Sequence, residues 1–143
     1  MDSGPEPDLP ELFLRTSKRI RRNQMTGLTP LGLTPSQARA LRIIGHATDP
    51  LRMSALAERL DIVPRSATTV VDALESAGLV TRAPDPANRR SILVAATDAG
   101  RDVLSRMARA RRRAAEDLFA TLTPSQRDTL RDLLAALDSD ETN

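Results

Sequence analysis

The sequence predicts a mainly α-helical fold that carries one small β-hairpin. Three observations lead there. Phe13 and Phe119 are the only aromatic residues among 143. The core must therefore be built from Leu, Val, Ile, Ala and Met, a mixture that suits helices better than a β-sandwich. Apolar residues recur at three- and four-residue spacing in several segments that begin with good capping residues. One pair of alternating runs flanks a polar turn, Pro84-Asp85-Pro86-Ala87-Asn88.

Each element can be justified in order. Leu9 to Met25 reads as a helix, with Leu12, Phe13, Ile20 and Gln24 marking one side and "RTSKRIRR" charging the others. "TGLTPLGLTP", with two glycines and two prolines, breaks it. Thr34 is a suitable N-cap, with Pro35 at the first helical position and Gln37 three residues after the cap. That helix runs over "SQARALRIIGHA", with Ala38, Leu41 and Ile44 or Gly45 inward, and "TDP" ends it. Ser54 is expected to cap a short helix whose Leu56, Ala57 and Leu60 face inward. "DIV" turns the chain. Pro64 starts another helix, with Ala67, Val70, Val71 and Leu74 inward, and Gly78 stops it.

Two helices joined by so tight a turn make a helix-turn-helix. Arg65, Ser66, Thr68, Thr69 and Asp72 lie on the outer side of the second helix. "LVTRA" and "SILVAAT" then form a hairpin, with Ile92, Val94 and Ala96 alternating with Ser91, Leu93 and Ala95. A hairpin directly after a helix-turn-helix is a winged helix, and Arg89 and Arg90 fall at the wing tip. A long helix follows from Asp98 to about Leu122, with a stripe of Val103, Leu104, Met107, Ala114, Leu118 and Phe119. Thr123-Pro124 starts a final helix with Leu130, Leu133, Leu134 and Leu137 at i, i+3, i+4 and i+7. "DSDETN" reads as a frayed acidic tail.

The net charge is only +2, yet arginine outnumbers lysine 20 to one, the single lysine being Lys18. GC-rich codons would give the same bias, so placement is more informative. Residues 1–11 hold four acids and no base, residues 15–22 hold five bases, and residues 101–113 hold six. Residues 116–143 return to seven acids against two arginines. Acidic ends repel a polyanion, which puts any nucleic-acid surface in the middle of the chain.

The absence of cysteine excludes disulfides, thiolate metal sites and thiol redox sensing. With His46 as the lone histidine, neither a metal site nor a cofactor is expected. No run approaches the ~18 apolar residues of a membrane span, and "MDSGPEPDLP" does not read as a signal peptide. A cytoplasmic location is expected, with no membrane partner. No Ser-His-Asp set, loop carboxylate pair or Gly-rich phosphate loop is present, so no enzymatic activity is expected.

Taken together, "LTPSQARAL", "ALAERLDIVPRSATTVVDALESAGLV" and "DPANRRSILVAATDAG" resemble the MarR family of winged helix-turn-helix regulators. The likeness runs from about Leu9 to Leu137. It implies a dimerisation helix and linker over 9–33, a DNA-binding winged helix-turn-helix over 34–98, and C-terminal dimerisation helices over 99–138. It also implies a homodimer on a pseudo-palindromic site in double-stranded DNA, most simply as a repressor. The recognition helix would be Pro64 to Ser76, with Arg65, Ser66, Thr68 and Thr69 as contacts. The wing contact would fall on Arg90, supported by Arg89 and preceded by Asn88. Many relatives respond to a small anionic, often aromatic, effector, and the likeness assigns no residues to it here.

Apolar stripes outside the winged helix point the same way. Leu12, Phe13, Leu118, Leu130, Leu133, Leu134 and Leu137 would leave much surface uncovered in one small chain, and an identical partner would cover it. The sequence departs from the family pattern at three positions. Asp61 stands where glycine is common, Val63 where a Ser or Thr cap is common, and Asn88 where an acid usually precedes the wing arginines. The rival reading is a winged helix that docks on a protein and binds no DNA.

Overall fold

A computed structural model describes residues 5–28 and 31–139, with the side chains of residues 25–28 left aside. In chain order the elements are α1 (Leu9–Leu28), α2 (Pro35–His46), β1 (Leu51–Arg52), α3 (Met53–Leu60) and α4 (Pro64–Ser76). The wing strands β2 (Val80–Asp85) and β3 (Asn88–Ala96) follow, then α5 (Asp98–Phe119) and α6 (Pro124–Asp138). Helix α1 continues three residues beyond the expected Met25. Residues 29–30 of the expected break, and the acidic tail from residue 140, lie outside the described residues. Two compact units result. One is α1 up to Gln24 with the chain from Arg111 onward, and the other is Met25–Ala110.

Capping starts the helices much as the sequence indicates. Thr34 Oγ1 accepts from the Gln37 amide and Gln37 Oε1 accepts from the Thr34 amide, both at 3.2 Å. Thr123 and Gln126 repeat this reciprocal box at the head of α6. Each box satisfies two amides that the first helical turn leaves without partners. The Ser54 cap is not formed. Arg52 holds the N-cap position in an extended conformation, with no side-chain cap bond, and the helix begins at Met53. The reason is β1: the residues just before the helix are drawn into a sheet, which fixes the entry geometry a step earlier.

That sheet is the main topological addition. The hairpin has a third strand, in the order β1-β3-β2, with Leu51 opposite Val94 and Arg52 opposite Leu93. A two-residue strand carries no alternation that a sequence could display.

The core of the Met25–Ala110 unit is aliphatic, as composition requires. Leu41, Leu56, Val71, Leu74 and Val94 are fully buried, joined by Ala38, Ala40, Ile44, Leu60, Leu79, Val80 and Met107. Of the two alternatives at the end of α2, Ile44 is the buried one. Gly45 is where the Leu104 side chain of α5 lies against the helix, and a β-carbon there would overlap it. The wing contributes Val94, whereas Ile92 at the other end of the hairpin is exposed.

One threonine ties the wing's exit to the exit of α4. The Thr97 amide donates to the Leu79 carbonyl at 3.0 Å, and its hydroxyl donates to the Gly78 carbonyl at 2.7 Å. The same hydroxyl accepts from the Gly100 amide at 3.0 Å and so caps α5. Gly78 has φ +75°, and Gly100 sits so close to the Leu79 carbonyl that a β-carbon would collide with it.

The other unit is far less covered. Ala114 is buried, and Leu118, Phe119 and Leu130 are partly buried. No residue of α6 is buried, and Leu133 and Leu137 remain 60% and 68% exposed. On α1, Leu12, Phe13 and Leu14 are exposed as well.

Candidate nucleic-acid interface

The outer face of α4 is set by how the helix starts. Asp61 ends α3 in the left-handed region at φ 54°, a conformation that Asp tolerates better than most residues. This is the backbone reason for glycine at such turns. Val63 is the N-cap and forms no side-chain bond, and its carbonyl accepts from the Ser66 and Ala67 amides at 3.0 and 3.2 Å. Pro64 supplies the preset φ of a first helical residue. Arg39 of α2 closes the other side of the turn, its guanidinium donating to the Arg59 and Leu60 carbonyls at 3.2 and 3.3 Å.

Ala67, Val71 and Leu74 then face the core, which leaves Arg65, Ser66, Thr68 and Thr69 exposed together on the first two turns of α4. The Thr68 hydroxyl donates to the Pro64 carbonyl at 3.1 Å and the Thr69 hydroxyl to the Arg65 carbonyl at 3.2 Å. Both hydroxyl oxygens remain open as acceptors toward solvent. No described residue pairs with the Arg65 guanidinium.

Acids on α4 are confined to its second half and are neutralised there. Arg82 of β2 lies 2.6 Å from Asp72 and 3.0 Å from Glu75, and its amide also donates to Glu75 at 3.1 Å. Hydrogen bonds from the Arg82 guanidinium hold the Glu75 carboxyl below its usual range, and those with Glu75 and then Asp72 raise Arg82. Asp72 therefore serves the joint between helix and wing rather than an arginine that reads bases.

The wing has an unexpected register. Pro84 pairs with Ile92, yet the next residue, Asp85, pairs with Asn88. Arg89, Arg90 and Ser91 are thus looped out of the ladder, and the turn itself is Pro86-Ala87. Such a bulge re-aims side chains away from the regular pleat. Arg89 and Arg90 are exposed, and no described residue pairs with either guanidinium. Asn88 Oδ1 accepts from the Arg90 amide at 3.2 Å, so the neutral residue organises the backbone of the bulge.

The sequence places Asp85 in an ordinary polar turn. It is instead the one buried charged or polar residue among those described. Its Oδ1 accepts from the Ala87 amide at 2.9 Å, and its Oδ2 takes both Nε and Nη2 of Arg52, each at 3.2 Å. Nothing in one sequence links positions 33 residues apart. The only local signal was the Asp-Pro pair at a turn.

The residues expected at a dimer surface lie on the other unit. Leu12, Phe13, Leu133, Leu134 and Leu137 are exposed, and Leu118 and Leu130 are partly so. Phe119, Leu130 and Leu134 line an open hollow of about 550 Å3, edged by Arg127, Arg131 and Asp138. No cluster of metal-ligating side chains occurs among the described residues, and no helix there is long and apolar enough to cross a membrane.

Comparison with known proteins agrees with this arrangement. A model of the MarR family matches residues 33–92, which hold α2 to α4 and most of the wing. An HTH-type transcriptional regulator of Mycobacterium bovis is 35% identical over 140 residues, covering 95% of this chain and 94% of the relative. A transcriptional regulator of Thermotoga maritima, 26% identical, superposes with a TM-score of 0.78 and covers 90% and 89% of the two chains. A MepR variant of S. aureus, solved bound to an oligodeoxyribonucleotide, shares the fold with a TM-score of 0.76 at 19% identity, covering 96% of this chain and all of its own.

Proposed function

The chain belongs to the MarR family of DNA-binding transcriptional regulators, not enzymes, and on that premise we propose that it acts as a homodimeric repressor of a pseudo-palindromic operator. Each copy lays the start of α4 in a major groove, where Arg65, Ser66, Thr68 and Thr69 meet base edges and phosphates. Arg89 and Arg90 of the wing enter the flanking minor groove, where narrowed walls concentrate negative potential. One observation carries this reading. Among the described residues, Arg65, Arg89 and Arg90 project from one compact unit without carboxylate partners, while Asp72, Glu75 and Asp85 of the same unit are already paired.

The uncovered leucines of α1 and α6 support the dimer. Apolar surface of that extent is favourably buried against a second copy, which also supplies the two-fold symmetry of a palindromic site. A small anionic effector that prefers a different spacing of the two recognition helices would release DNA by differential affinity. The protein then acts in the cytoplasm, where operator and effector meet.

The test is binding to the duplex that the protein selects from a random-sequence pool. Affinity should fall steeply with salt as counterions are released, and Arg89→Ala/Arg90→Ala should weaken it about tenfold or more, with little change in melting temperature. A protein that selects no duplex, or a double variant of unchanged affinity, contradicts the assignment.

A further inference from the structure

We infer that Arg52 and Asp85 are positioning residues for the wing: a cross-sheet ion pair that aims Arg89 and Arg90 without touching the DNA. Three features of the wing converge on it. Asp85 is buried at the last ladder position before the turn, with both carboxylate oxygens engaged. The looped-out segment carrying Arg89 and Arg90 begins directly opposite, between the Pro84–Ile92 and Asp85–Asn88 pairs. Arg52 is at once the last residue of the edge strand β1 and the N-cap of α3. Its guanidinium therefore reaches across the sheet from the head of the helix-turn-helix to the neck of the wing.

A hairpin that ends in a bulge is free to swing about its neck unless something holds it. Here the Ala87 amide and Arg52 hold the neck from two directions. Leaving the carboxylate buried but unpaired is costly, so without Arg52 the neck must open to solvate Asp85. The wing arginines then lose their fixed bearing relative to α4, and part of the binding free energy goes to re-ordering them. Arg52 itself stays 53% exposed, so a lysine keeps the charge but loses the forked grip.

This inference rests on the wing reading, and the experiment separates the two. Affinities for the duplex selected by the unmodified protein are compared in the full chain for Arg52→Ala, Arg52→Lys, Asp85→Asn, Arg89→Ala/Arg90→Ala, and the triple combination with Arg52→Ala. Arg52→Ala should weaken binding about tenfold, and Arg52→Lys should recover part of the loss. In the background lacking both wing arginines, adding Arg52→Ala should change affinity less than about twofold, because coupled residues are not additive.

An equal Arg52→Ala penalty in both backgrounds overturns the inference, since Arg52 would then act on its own. Asp85→Asn keeps the side-chain shape and guards against misfolding of the alanine variant. A positioning pair requires Asp85→Asn to weaken binding. Stronger binding would make Arg52 a direct phosphate contact that Asp85 restrains, and would overturn the inference. If Arg89→Ala/Arg90→Ala leaves affinity unchanged, the wing reading fails and this inference fails with it.

Discussion

At Val63 helix α4 starts without a side-chain cap, although α2 and α6 both open on reciprocal boxes. Val63 is 64% exposed, so a polar residue there displaces no core contact. Val63→Ser should stabilise the chain by ~0.5–1 kcal/mol, seen as a higher melting temperature. A drop instead would mean that the valine packs against something outside the single chain. Two residues on, Arg65 offers a fork suited to guanine in the major groove. Arg65→Ala should cost ~1–3 kcal/mol at the selected duplex and relax discrimination at one base step. Equal losses on selected and random duplexes would make it a phosphate contact. Both residues were legible in the sequence, because capping and exposure depend on near neighbours. Asp85 was not. Its burial and its partner Arg52 follow from a strand pairing that brings distant positions together.

The elements themselves were largely readable, and the misses share one cause. Helices α2 and α6 announce themselves through spacing, Pro at the first position and threonine caps, α4 through spacing and Pro64, and α5 through spacing alone. The third strand β1 and the register shift at Asp85 were hidden, since pairing across a sheet is set by tertiary contact rather than by local pattern. The joint between α4 and β2 is another such product. Its Asp72–Arg82–Glu75 triad has a consequence for pH. The Glu75 carboxyl is held below its usual range by Arg82. Its contribution is therefore complete above the ordinary carboxylate range of about 4.3 and is lost as pH falls through the lowered value. Glu75→Gln should flatten the fall in melting temperature between about pH 5 and pH 3. An unchanged acid limb would show that the triad adds nothing to stability. At the exit of this joint, Gly100→Ala should be among the more destabilising single changes, because the Leu79 carbonyl that it meets is backbone and cannot rotate away.

At the scale of the whole molecule, the two compact units differ in how far they are finished. The Met25–Ala110 unit closes a core around Leu41, Leu56 and Leu74. The unit holding α1 and α6 leaves Leu12, Phe13, Leu133, Leu134 and Leu137 at the surface. Sequence spacing shows that those stripes exist, and the small size of the chain argues that one copy leaves much of them bare. Leu133→Glu/Leu137→Glu should shift the protein to single chains in sedimentation, while the near-ultraviolet and thermal signatures of the winged helix persist. Selected-duplex affinity should fall with it, since one reading head lacks the second half-site.

Mass measurement of the protein–duplex complex, combined with footprinting of the selected DNA, tests this two-headed arrangement most directly. Two chains per duplex should appear, protecting two major-groove segments about one helical turn apart, ~34–36 Å. One chain per duplex with a single protected segment would contradict it.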